Sequence, residues 1–217
     1  MTISTYICKN SVMKRLVLII LIAVIAFIAV WKLLVNKSDI TQNLPKDKPL
    51  LVGKNTDSFT RAFSVMLDSY FALKDALVEW DITKADQEAM NLKKNADSLP
   101  VNQIKGDSSI MLNAQNLAGS ISAEVKGFEG EKNIDQKRRA FNMLTEELYN
   151  LVRNVRYDGE PIYHDRCPMA FNETEEGYWL SNSRKIVNPY LGKKHPKYND
   201  KMVGCGEVVD SLDFSKK

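Results

Sequence analysis

The chain has 217 residues, 44% of them hydrophobic, and its 30 lysines and arginines nearly balance 27 acidic residues for a formal net charge of +3. That length suits one globular domain with a real core, not two. The basic residues are scattered among acidic ones instead of forming a stripe with interleaved aromatics, so nucleic acid is not an expected partner. Three cysteines do not make a disulfide framework, although one bridge can form.

Leu16 to Val35 is almost wholly apolar, follows Lys14 and Arg15, and is interrupted only by Lys32, which can snorkel. At the rise of a helix this stretch measures about 30 Å, the thickness of a bilayer core. Ala23, Ala26 and Ala29 are spaced by three and no A-x-A-like cleavage site appears. The reading is therefore an uncleaved signal anchor, one N-terminal transmembrane helix within residues 1–38. Basic residues flank it on both sides, which weakens the positive-inside rule. A short basic head before a first apolar segment still favours export of the chain beyond that segment. The expected location is the inner membrane, single-pass through residues 16–35, with the C-terminal domain in the periplasm. Cys8 lies before Met13, itself a natural start, and has no assigned role. Residues 39–56 contain Pro45 and Pro49, lack apolar periodicity, and read as a tether reaching roughly 20–30 Å.

From Asp57 the period becomes helical. Phe59, Phe63, Met66, Tyr70, Leu73 and Leu77 alternate spacings of four and three, which places them on one helix face. Ala85, Ala89, Leu92, Ala96 and Leu99 form a second run, with Thr83 as N-cap and Pro100 as stop. Ile110, Ala114, Leu117, Ile121, Val125 and Phe128 make a third, after Asp107, Ser108 and Ser109. Ile134, Phe141, Leu144, Leu148, Leu151 and Val155 make a fourth, capped by Asn133. The expectation is an all-α fold over residues 57–217, an antiparallel four-helix bundle carrying an irregular C-terminal segment. With no histidine between Asp57 and Tyr157, the bundle cannot hold a di-iron centre. Met66, Met90, Met111 and Met143 read as packing residues.

Beyond Arg156, prolines and glycines break the chain into short pieces, yet both histidines and the two remaining cysteines gather there. Pro168 biases Cys167 toward extended geometry, in which Cys167 and Met169 point to one side. Met202 and Cys205 are three apart, and a tight turn eased by Gly204 and Gly206 would present both sulfurs together. His164 stands three before Cys167. Thiolate, thioether and imidazole together suit Cu(I) better than a hard cation, so the candidate ligands are His164, Cys167, Met169, Met202 and Cys205. The competing reading is a Cys167–Cys205 disulfide stapling the tail, with no metal. His195 reads as a solvated loop residue.

The segments HDRCPMAF, GYWLS, IVNPYLG and MVGCGEV resemble the C-terminal signature of bacterial periplasmic domain-of-unknown-function family 3347. The resemblance runs from about Phe59 to Val208. It implies a helical bundle with a copper-linked soft-ligand site, in small exported proteins or at the C-terminus of adaptor (membrane-fusion) subunits of copper/silver efflux pumps. Residues 193–201 separate NPYLG from Met202, where shorter members run almost directly from one to the other. The expected function is a membrane-anchored periplasmic protein binding Cu(I) or Ag(I) for sequestration, efflux or delivery, with an efflux adaptor or copper protein as partner. The alternative is a metal-free, disulfide-stapled interaction module docking such an adaptor or another envelope protein. No P-loop, G-x-S-x-G or H-E-x-x-H motif is present, and no enzymatic activity is expected.

Overall fold

The computed structural model describes residues 55–215. The anchor expected at residues 16–35, Cys8 and nearly all of the tether lie outside them. Among the described residues no helix is long and apolar enough to cross a membrane.

Four helices form where the spacing places them: α1 (Asp57–Val78), α2 (Ile82–Asp97), α3 (Ser108–Gly130) and α4 (Ile134–Val155). Thr56 caps α1 by accepting the Phe59 N–H at 3.2 Å, and Asn133 caps α4 through the Gln136 N–H at 2.9 Å. The cap of α2 is Asp81, which accepts the Lys84 N–H at 2.9 Å, not Thr83, so that helix starts earlier than its apolar run. Trp80 makes the tight α1–α2 turn with φ of 62°, a conformation uncommon outside glycine. Its ring is held from both sides: the indole N–H donates to Leu191 O at 3.2 Å, and the Arg138 guanidinium lies 4.0 Å over the ring. Phe63, Tyr70, Leu77, Phe141 and Leu148 are fully buried, whereas Leu117 is only half-buried. Met66 is buried while Met90 and Met143 are about half-exposed, so these methionines share no internal stripe.

The expected all-α architecture is overturned by the tail. Instead of an irregular segment it supplies β1 (Ile162–Phe171), β2 (Glu175–Ser181) and β3 (Glu207–Leu212), an antiparallel sheet in the order β2-β1-β3. The fold is mixed, four helices with a three-stranded sheet packed on them. Two features hid the strands. Ile162 to Phe171 does not alternate buried and exposed positions, because both faces of the central strand are covered in part. Pro168, read as a breaker, sits at a break in the β1–β2 register between Cys167 and Phe171, a place where a strand tolerates proline. The hairpin turn has positive φ at Asn172 and Glu173 and closes with Thr174 N–H to Phe171 O at 3.1 Å. It uses asparagine and glutamate where glycine would have announced the turn.

The helices meet the sheet at its β2 edge. The Leu180 N–H donates to the Tyr70 hydroxyl at 3.0 Å and the Tyr178 N–H to Asn142 Oδ1 at 2.8 Å. Two side chains thus occupy backbone donors that an open edge would leave bare. Arg166 on the central strand pairs with Glu176 of β2 at 2.8 Å and Glu207 of β3 at 2.5 Å, tying the three strands together.

Candidate metal centre

Cys167 lies on the central strand, fully buried, and its ladder with β2 is unbroken from Tyr163 to Cys167. Cys205 enters from the long connection before β3. The two sulfurs are 3.6 Å apart, and both cysteines are free thiols.

Three local devices bring Cys205 there. The turn expected between Met202 and Cys205 exists, closed by the Cys205 N–H to Met202 O at 3.0 Å. Gly206 comes next with φ of +141°, and a Cβ there would come within 2.7 Å of both Arg166 O and the Trp179 ring. Only glycine lets the backbone pass that close to the sheet. Gly204 has open space around it and no positive φ, so it has no comparable part. The third device is Asn188 of the NPYLG motif, fully buried. Its Oδ1 accepts the N–H groups of Tyr190 and Leu191 at 2.8 and 3.0 Å, and its Nδ2 donates to Cys205 O at 2.8 Å. Sequence reasoning passed over Asn188 because a positioning amide has no ligand chemistry of its own. The NPYLG motif was the only available signal.

The other candidates are placed differently. His164 alternates with Cys167 along the strand and faces the helices, stacked on Tyr149 at 4.2 Å with Nε2 3.5 Å from Glu146 Oε1. Both of those atoms are buried without a hydrogen-bond partner. His195 sits in the connection, where its Nδ1 accepts the N–H groups of Lys197 and Tyr198 at 3.2 and 3.3 Å. That pattern holds the ring proton on Nε2 and leaves neither nitrogen free for a metal. Met169 lines a cavity of about 260 Å³ with Tyr190, Leu191 and His195. Met202 is half-buried against the core. Among the described residues, no group of three or more His, Cys, Asp or Glu side chains is arranged to hold an ion.

The pair that remains is chemically apt for a soft ion. At metal–sulfur bonds of about 2.3 Å, a separation of 3.6 Å corresponds to an angle near 100° at the ion. Further donors fit such a geometry, and thioethers are the nearest by sequence. Burial, and after it the neighbouring Cys167, pushes the Cys205 thiol up to about 11, so the metal-free pair keeps the Cys205 proton at neutral pH. A metal that binds there must displace it.

Residues 66–159 match the sequence model of a family described as "Protein of unknown function (DUF3347)". No curated protein and no solved structure matches significantly. The matched span covers most of the helices and ends before β1, so it includes none of the five candidate ligands.

Proposed function

We propose, for a chain whose residues 66–159 match the model of this family of unknown function, that it binds a soft monovalent ion, Cu(I) or Ag(I), between Cys167 and Cys205. The carrying observation is the 3.6 Å separation of two free thiols contributed by sequence-distant segments. Thiolates select soft metals, and a partly exposed Cys205 gives the ion a way in. Met169 and Met202 are the thioethers that complete the set, while His164 serves the helix-facing side of the sheet. The apolar run at residues 16–35 supports an anchored, periplasmic protein that sequesters copper or hands it to an efflux adaptor or another copper protein. We read the protein as a carrier with no catalytic residue of its own.

The same separation supports a second reading, a disulfide-stapled interaction module, because a closure of about 1.5 Å would bring the sulfurs to bonding distance. Titrating free thiols in the exported, unreduced protein separates the two: with Cys8 counted apart, two thiols favour the ion site and none favours the staple. The direct test is an anaerobic Cu(I) competition titration against a chromophoric chelator. Cys167→Ser and Cys205→Ser should each weaken binding at least a hundredfold, Met169→Leu by about tenfold, and His164→Gln hardly at all. Unchanged affinity in both cysteine variants would end the metal reading.

A further inference from the structure

Helices α3 and α4 run antiparallel, and near the start of the first and the end of the second they part to leave a groove of about 620 Å³. Helix α3 lines it with Asn113, Asn116 and Leu117, and α4 answers with Asn150, Arg153 and Asn154. Each set has the i, i+3, i+4 spacing of a single helix face, so the two faces oppose each other across the groove. Arg156 and Phe214 close its end.

Arginines near the end of α4 also complement the helix dipole, but the rest of the lining is not what a dipole requires. Among the described residues no carboxylate lines the groove, while four amides and two guanidinium groups do. An amide offers two donors and an acceptor, the complement of a hydroxyl that both gives and accepts. Arg153 lies 5.3 Å from the centre of the Tyr149 ring and within electrostatic reach of Asp210, and a guanidinium with five N–H donors can serve a planar anion beside these contacts. Asn154 is held by its own bond to Ile110 O at 3.0 Å, which braces one wall against the other helix. Leu117 and Phe214 add an apolar surface of the kind against which the C–H face of a sugar ring packs.

We propose that this groove binds an acidic saccharide, its hydroxyls read by the asparagines, its carboxylate by Arg153 and Arg156, and one ring face laid on Phe214. The volume lies within the range of small-molecule sites, roughly 300–1,000 Å³. Binding there is independent of the thiol pair, which lies on the sheet.

The test is calorimetry on the full-length chain with a trimer of galacturonic acid, with maltotriose as its neutral counterpart and sodium acetate as a bare anion. The expected result is saturable one-to-one binding of the acidic trimer, at least tenfold tighter than maltotriose and not reproduced by acetate. Asn150→Asp, an exposed substitution that leaves the core untouched, should weaken the acidic trimer at least tenfold, because it removes a hydroxyl-reading amide and sets a carboxylate against the ligand's own. Arg153→Gln should act in the same direction. No saturable heat with the acidic trimer, equal binding of both trimers, acetate binding as tight as the trimer, or indifference to both substitutions would each overturn the proposal.

Discussion

Tyr149 donates a 2.6 Å hydrogen bond to Asp210 Oδ2, and that bond is the leading reason the Asp210 carboxyl is held below its ordinary value of 3.8. A depressed carboxyl contributes stability that is present above its unfolded value and lost as pH falls through the folded one. Tyr149→Phe keeps the stacking on His164 but removes the bond. Urea unfolding should therefore show the variant about 1 kcal/mol less stable at pH 7, with the difference shrinking as pH falls below the ordinary carboxylate range. Asn188 is the more demanding residue, because three hydrogen bonds converge on one fully buried amide. Asn188→Ala should cost about 3 kcal/mol in the same assay. It should also weaken Cu(I) binding although neither cysteine has changed, since the amide is what fixes the backbone at Cys205. None of this was legible from the residues alone. A buried asparagine and a surface asparagine are the same letter, and what distinguishes Asn188 is the chain folded around it.

At the level of elements, the helices and the strands differ in how they announce themselves. Each helix buries one stripe and solvates the rest, so α1 and α4 carry a period that survives in the sequence. β1 and β2 are covered by helices on one side and by the connection of residues 182–206 on the other, which erases the alternation that would have marked them, whereas β3 keeps Glu207, Val209 and Ser211 exposed in alternation. Their pairing depends on side chains from elsewhere. Tyr70 accepts the Leu180 N–H and also bonds Thr145 Oγ1 at 2.7 Å, joining α1, α4 and β2. Tyr70→Phe preserves the ring and strands both partners in the core, at an expected cost of about 2–3 kcal/mol in chemical denaturation. Gly177 marks a different constraint, since a Cβ there would lie 2.6 Å from Ala170 Cβ and 2.8 Å from the Tyr190 ring. Gly177→Ala should accordingly destabilise by about 1–3 kcal/mol through overpacking. Recovery of wild-type stability in Gly177→Ala would show that the hairpin shifts to make room.

On the scale of the whole molecule, Arg138 joins what the chain order separates. It is almost entirely buried on α4, donates to Pro189 O at 2.8 Å in the connection and to Leu77 O at 3.2 Å at the end of α1, and covers Trp80. A lysine offers neither the fork nor the flat stacking surface. Arg138→Lys should lower the unfolding midpoint nearly as much as Arg138→Ala, and equal stability of the lysine variant and the wild type would refute that role. The thiols set a second global quantity. A bridge between Cys167 and Cys205, 38 residues apart, would remove unfolded-state entropy worth about 3–5 kcal/mol. Oxidised protein should unfold at higher urea than reduced protein by a corresponding margin, and it should bind no Cu(I) until reduced.

The sequence by itself determined the four helices and most of their buried faces, because a helix writes its period locally and needs only its own residues to do so. It also singled out Cys167 and Cys205, because thiols are rare enough to stand out wherever they fall. Tertiary structure alone decided the sheet, the separation of His164 from the thiols, and the role of Asn188. Each of these depends on which face of a strand is covered and by what, and that is set by contacts between segments tens of residues apart.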